Sequence, residues 1–380
     1  MPVEFALTEE QELLRKELRR FVDERVIPGS RERDRSHRFP AELVAETAEM
    51  GLTGMLVPEG YGGAGQDALS YALAIEELSR GCASLGVTLS VTNSVCCWPI
   101  VRFGSEDLKR LVLPELARGA LGGFCLTEPT SGSDAGALRT TARLDGDSWV
   151  LDGEKAWITN AGRARFFVTM AKTEPAAGKR GISAFVVPAD APGLRVGAPE
   201  EKLGLRSSVT ASVSFDECRI PAANLLGELG QGFKIALATL DHSRLGIAAQ
   251  AVGIHQRAFE LARDYARERV QFGVPIAEHQ AIRFTLARMA TELAAARVLM
   301  RFAAMSEDRS AGGRLAAEAK ALASEAANRA CWDAIQVHGG NGFCEDYEVA
   351  RLYRDVRVTT IYEGTSEMLR LVIARHLLQG

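Results

Sequence analysis

The chain has 380 residues, enough for two or three domains around a large core, and its 47% apolar and 25% charged residues match an ordinary globular protein. A formal net charge of −4 gives no general attraction to nucleic acid or to anionic membranes, and no apolar run reads as long enough to span a bilayer. Seven cysteines without a C-x-x-C pair fit reduced thiols, the first ten residues carry no secretion signal, and the scattered histidines predict no metal site, so a metal-free cytoplasmic protein is expected.

Residues 1–121 read mainly as helix. Thr8 and Gln11 form a capping-box pair, and Leu13, Leu14, Leu18, Phe21, Val22 and Val26 then recur at helical spacing until Pro28. Further helices are predicted over Ala41–Met50, Leu69–Leu78 and Ala83–Phe103, the last interrupted near Pro99, and Ser105 caps another. Residues 122–228 change rhythm. Trp149–Leu151, Phe166–Met170, Ile182–Val187 and Val209–Phe215 read as strands, with Asp145-Gly146 and Asp152-Gly153 as turns between strands. Strands this close, without intervening helices, predict an antiparallel barrel or sandwich. Residues 229–380 are helical again, over Phe233–Val270, Glu278–Asp308, Arg314–Val337 and a C-terminal helix, with breaks at Gly273-Val274-Pro275 and Gly312-Gly313. Long helices joined by short loops predict a four-helix bundle, so the fold class is α+β in three domains.

Gly60-Tyr61-Gly62-Gly63-Ala64-Gly65 matches the G-x-G-x-x-G dinucleotide fingerprint, but it lies in a helical region with no βαβ unit, so a loop is expected. Phe124 to Gly136 is a strand followed by a loop whose hydroxyl and backbone donors suit a flat polar ligand or an ordinary turn. In Glu154–Asn160, Trp157 and Thr159 would share one face of a strand, as a ligand platform or as plain core. Arg269–Pro275 and Gln336–Gly342 end helices in residues that stack or admit close backbone approach, and either alone would serve as a helix C-cap. In Ile361-Tyr362-Glu363-Gly364-Thr365-Ser366-Glu367, a carboxylate precedes a helix whose N-cap is Thr365 or Ser366; alone it would be a solvated acid before a capped helix.

Together, in this order, these stretches resemble the acyl-CoA dehydrogenase family over essentially the whole chain. The signatures are Leu126-Thr127-Glu128-Pro129 with Gly132-Ser133-Asp134, Trp157–Asn160, Arg269 with Gln271-Phe272-Gly273, Gln336 with Gly339-Gly340 and Gly342, Arg354-Asp355, and Ile361–Ser366. The resemblance implies FAD between the β-domain and the C-terminal helices. Thr127 and Ser133 would face the flavin edge, with Phe124, Leu126 and Gly132 in the same cofactor set, and Trp157, Ile158 and Thr159 would cover its ring. Arg269, Phe272, Gln280, Gln336, Val337, His338, Gly339 and Gly340 would reach the FAD of a neighbouring subunit in a homotetramer built from dimers; Thr365, Ser366 and Glu367 complete the FAD set. Acyl-CoA would meet Ser133, Asp241, Ser243, Arg244, Tyr362 and Gly364, with Arg244 the direct CoA contact.

By the same resemblance Glu363 is the base that removes the proton alpha to the thioester carbonyl, its backbone N–H meets the thioester oxygen, and electrons pass to an electron-transfer flavoprotein. Some members carry the base in the helix around position 243; here that residue is Ser243. Three departures stand out: Thr130-Ser131 where glycine plus a small residue is common, Asp346–Ala350 in place of a proline-containing segment, and a large Trp98 before Pro99. Arg80–Val91 is most similar to the short-chain members, with Val87 and Val91 where medium-chain members carry polar groups deep in the acyl tunnel, and no arginine is placed to receive a second carboxylate. A short straight chain such as butyryl-CoA is therefore expected. An oxidase that uses O2, or a non-catalytic acyl-CoA or partner-binding module on the same fold, are the alternatives.

Overall fold

The computed structural model describes residues 6–306 and 312–378. Thr8 caps α1 (Glu9–Phe21) through the expected reciprocal pair: its hydroxyl accepts from the Gln11 N–H and its own N–H donates to the Gln11 side chain, both at 3.2 Å. Beyond a π turn come the short α2 (Ser30–Arg35), α3 (Ala41–Glu49) and α4 (Ala68–Gly81). The glycine-rich stretch after Pro58 is a turn and loop among these helices, with Gly62 and Gly65 at positive φ, as its context required.

Helix α5 (Ala83–Val91) corrects two expectations. It does not break before Pro99 but runs through a π turn, Thr92–Cys97, into α6 (Trp98–Phe103), where Pro99 sits in the first turn. Pro99 lacks the N–H a mid-helix residue would donate, and the wider π turn just before it makes room for the ring, so the helix carries through. The continuous Ala83–Phe103 stretch is thus long and apolar enough to cross a membrane, yet 89% of its window is buried inside the protein. Its apolar surface is used within the fold. Helix α7 (Glu106–Ala117), capped by Ser105, completes this part.

The middle part is a sheet of β1 (Leu121–Cys125), β2 (Thr141–Asp145), β3 (Ser148–Thr159), β4 (Ala164–Lys172), β5 (Ile182–Pro188), β6 (Leu194–Val196), β7 (Thr210–Pro221) and β8 (Leu225–Leu226), in the order β6-β7-β3-β2-β4-β5-β8. Most pairs are antiparallel, but the sheet is mixed: β1 lies parallel to β4, and β2 meets β4 in parallel at Thr141 and Lys172. The β2–β3 hairpin intervenes between β1 and β4, so β1 joins β4 by a crossover that allows the parallel sense. Asp152-Gly153 is a further correction. It is a bulge inside the long strand β3, not a turn between strands. Gly153 has φ +146°, and a Cβ there would come 2.6 Å from the Thr140 hydroxyl, so only glycine fits this close crossing.

The C-terminal part holds α8 (Gly232–Glu268), a small hairpin of β9 (Val270–Gln271) and β10 (Val274–Pro275), α9 (Gln280–Ala304), α10 (Gly312–His338), α11 (Glu348–Val356) and α12 (Ser366–Leu378). The bundle consists of α8, α9, α10 and α12. Gly312 opens α10 rather than breaking a helix, and α9 closes at Ala304; the expected end at Asp308 lies outside the described residues. Buried alanines of α8 (Ala248, Ala249, Ala251) and α10 (Ala319, Ala323, Ala327) join the same core as Leu73 and Leu78 of α4. Small residues at such contacts let helix axes approach closely. The parts are also tied by polar bonds: Arg351 donates to the Gly81 carbonyl (3.3 Å), Arg354 to Asp34 (2.6 Å) and the Leu205 N–H to Asp355 (2.6 Å).

Candidate active site

Thr365 is the N-cap of α12, since its hydroxyl accepts from the Met368 N–H at 3.3 Å, and Ser366 is the first helical residue. Immediately before the cap the backbone turns left-handed twice, at Glu363 (φ +51°) and Gly364 (φ +99°). A glutamate in that region costs roughly 1–2 kcal/mol, so the surrounding structure must hold it there. Tyr362 helps: its hydroxyl donates to the side-chain Oε1 of Gln250, and the Gln250 side-chain amide, buried in α8, donates to the Ala83 carbonyl at 3.0 Å. The result buries the Glu363 carboxyl. Its Oε2 has no partner among the described residues, and the Glu363 N–H donates to no backbone carbonyl among them.

Burial pushes the Glu363 carboxyl up to about 7, against the opposing pull of the Ser243 hydroxyl and of the Lys320 and Arg244 charges. Ser243 and Arg244 come from α8 and face Glu363, with Asp241 behind them holding Arg244 at 2.5 Å. Trp98 stacks on His242, one residue from Ser243, with ring centroids 4.7 Å apart. The large residue at position 98 therefore packs against the helix that faces the base.

A second cluster lies in the β-domain. Trp157 is 62% exposed, so it is not plain core. Strand β3 is irregular between Lys155 and Ile158, and Trp157 has φ +62°; this places the ring outside the regular alternation that would have put it on one face with Thr159. The Ala156 N–H donates to the Thr127 carbonyl at 2.9 Å, which ties the Trp157 stretch to the Leu126-Thr127 segment beyond β1. Phe124 is half-buried, Leu126 and Ile158 are buried, Thr127 and Thr159 partly so, and Gly132 and Ser133 are exposed on the loop. Thr130-Ser131 needs no glycine: the loop closes by paired backbone bonds between Glu128 and Ser131, and the Ser131 hydroxyl donates to the Asp134 carbonyl at 2.7 Å.

One helix frames both clusters. Asn160, at the end of β3, donates to the Thr88 carbonyl of α5 at 3.1 Å, and α5 also receives Gln250, the residue bonded to Tyr362. The other expected residues are elsewhere. Arg269 and Gln280 flank the β9–β10 hairpin, and Phe272 lies in its turn, 95% exposed. Gln336–Gly340 ends α10, where His338 stacks on Tyr265 at 4.2 Å. At 1.5 Å per residue, Arg269 stands roughly 39 Å along α8 from Ser243, at the far end of the bundle from Glu363.

Three residues were missed from the sequence. Lys155, fully buried in β3, pairs with Glu128 at 2.8 Å and also donates to the Leu126 carbonyl at 3.3 Å. Glu128 additionally accepts from the Arg139 N–H (2.6 Å) and the Thr140 N–H (2.9 Å). Burial raises the Glu128 carboxyl, but Lys155 and Thr140 outweigh it and hold the group below the ordinary range. Lys320, fully buried in α10, donates to the Gly364 carbonyl at 2.5 Å. Its signal was available: a lysine on the buried small-residue stripe of Ala316, Ala319, Ala323 and Ala327. Glu348 of the divergent 346–350 segment turns inward and pairs with Arg257 (2.6 Å) and Arg351 (2.7 Å).

An exposed aromatic ring beside a loop rich in glycine and hydroxyl groups, the open backbone at Gly132 where a Cβ would meet no atom within 4 Å, and the buried Ser366 hydroxyl, without a partner among the described residues, all fit a large flat group with polar edges. With the helical–β–helical order, they define the class as a flavoenzyme of the acyl-CoA dehydrogenase type. Models of the acyl-CoA dehydrogenase N-terminal, middle and C-terminal domains match residues 8–120, 123–218 and 230–378. The mitochondrial short-chain specific acyl-CoA dehydrogenase of Homo sapiens is 50% identical over 376 residues, covering 98% of this chain and 91% of that protein. Butyryl-CoA dehydrogenase from Megasphaera elsdenii superposes with a TM-score of 0.97 at 41% identity, over 99% of this chain and 100% of the other. A structure from work on the electron transferring flavoprotein of Acidaminococcus fermentans superposes with a TM-score of 0.98 at 43% identity, over 100% of both chains. The chain belongs to the acyl-CoA dehydrogenase family, whose members are FAD-dependent enzymes.

Proposed function

We propose that this enzyme removes an α-proton and a β-hydride from a short straight-chain acyl-CoA such as butyryl-CoA, giving the trans-2-enoyl-CoA, with Glu363 as the base. The observation that carries this reading is the buried Glu363 carboxyl, pushed up to about 7 and set on a left-handed turn with an undonated backbone N–H. FAD, when bound, accepts the β-hydride. The chain does the rest. Glu363 takes the α-proton, its N–H and the Arg244 cation favour negative charge developing on the thioester oxygen, and burial keeps water from that charge. Because the acting form is the carboxylate, the rate rises with pH up to about 7 and falls tenfold per unit below it.

Trp157 and the Thr127–Ser133 loop would hold the flavin, with Thr365, Ser366 and Glu367 at a further part of it. Replacing the exposed Trp157 by alanine is expected to leave fold stability within ~0.5 kcal/mol and to weaken FAD binding roughly 2- to 10-fold, read by titrating apoprotein with FAD. Arg269, Phe272, Gln280 and Gln336–Gly340, remote from Glu363 in their own chain, would serve the FAD of a neighbour in a homotetramer of dimers, and native mass spectrometry reads that assembly. Short-chain preference is supported by the two relatives of that specificity and by the buried Val87 and Val91.

An electron-transfer flavoprotein in the cytoplasm is the proposed acceptor. The test is the visible spectrum of the purified protein. Butyryl-CoA without oxygen should bleach the flavin faster than octanoyl-CoA, and an electron-transfer flavoprotein should restore the colour far faster than air. Flavin that no acyl-CoA bleaches would defeat the proposal, and rapid recovery in air would make the enzyme an oxidase.

A further inference from the structure

The residue least accounted for is Lys320. It sits in mid-helix on α10, fully buried among small side chains, where an unpaired ammonium is strongly unfavourable. Its Nζ reaches the Gly364 carbonyl at 2.5 Å, across 44 residues of chain. That carbonyl belongs to the second of the two left-handed residues, so this bond holds the strained turn from outside. The same ammonium is a charge neighbour of the Glu363 carboxyl. We infer that Lys320 is a positioning residue: it clamps the 363–364 turn through the Gly364 carbonyl and, as a fixed cation, keeps the Glu363 carboxyl available in its ionised form.

The electrostatic setting is specific. Glu363 is faced by Lys320 from α10, by Ser243 and by Arg244 from α8, and by the Tyr362 hydroxyl on its own segment. Arg244 is largely committed to Asp241, and Arg375 of α12 adds positive charge behind it. Among the described residues, Lys320 is therefore the nearby cation with no carboxylate neighbour besides Glu363. Burial draws the Lys320 ammonium down to about 8 while Glu363 opposes that pull, so both groups are charged together just above neutrality.

The inference rests on Glu363 as the base, and the test separates the two. The flavin-loaded protein and its Lys320→Met, Lys320→Gln, Lys320→Arg and Glu363→Gln variants are compared in two ways. One is the pH profile of flavin bleaching by butyryl-CoA. The other is an infrared pH titration of the buried carboxyl, assigned by its loss in Glu363→Gln. With the cation gone, in Lys320→Met and Lys320→Gln, both midpoints should rise by about one pH unit or more, with bleaching at pH 7 slower by roughly fivefold or more. Lys320→Gln keeps a donor near Gly364, so the shift there isolates the charge. Lys320→Arg should restore the midpoint. Unshifted midpoints in both neutral variants would overturn the role of Lys320 while leaving Glu363 as base; bleaching that survives in Glu363→Gln would overturn the base itself. Should Lys320→Met not load flavin, Lys320→Gln against Lys320→Arg decides the matter.

Discussion

Glu363→Gln is expected to retain its flavin and fold while losing bleaching by butyryl-CoA by about 10^3- to 10^4-fold. General-base catalysis by one placed group contributes about 10²–10⁴-fold, and this group's carboxyl oxygen Oε2 is buried. Glutamine keeps the shape of the side chain on the φ +51° turn, and the Tyr362–Gln250 bond and the Thr365 cap do not involve the carboxyl. Binding of butyryl-CoA should change far less than the rate, because the loss is confined to the proton transfer. Stopped-flow absorbance at the flavin band measures it. A variant that bleaches at more than a tenth of the parent rate would remove Glu363 from the mechanism.

Lys155→Met should have the largest effect on stability. The Lys155–Glu128 pair is almost completely buried, and deleting one partner of such a pair costs about 3–5 kcal/mol because the other charge is left uncompensated. The consequence reaches the cofactor side, since Lys155 also holds the Leu126 carbonyl and its neighbour Ala156 holds Thr127. Urea denaturation should show the loss, and gel filtration should show flavin released from the variant. The sign of the pH effect follows from Glu128, whose folded pKa is depressed. Its stabilisation is present above the ordinary value of 4.5 and is lost as pH falls through the lowered folded value. Replacing both partners by apolar residues of similar size should recover much of the stability. A single Lys155→Met protein within 0.5 kcal/mol of the parent would contradict the account.

What the sequence determined by itself is local or periodic. The capping pair of Thr8 and Gln11, the Thr365 cap ahead of α12 and the buried faces of the long helices depend on residues three or four positions apart, and they came out where their chemistry put them. The ordered set of motifs, ending in Tyr362-Glu363-Gly364, also named the family. What only the tertiary structure decided depends on which distant segments meet. Asp152-Gly153 has the composition of a turn, but pairing with β7 across the whole length of β3 and the close crossing of Thr140 make it a bulge. The same kind of irregularity puts Trp157 in solvent, where alternation alone could not. Pro99 reads as a break until the π turn before it is seen to carry the helix through. Lys155 looks like a surface lysine in sequence, and the small-residue stripe around Lys320 signals burial but no partner; their carboxylate and carbonyl partners lie 27 and 44 residues away, and no local pattern encodes such a separation. Sequence placed a glutamate before a helix, and the packing of α8 and α10 around it made that glutamate dry, strained and flanked by cations, which is what turns an ordinary carboxylate into a base near neutral pH.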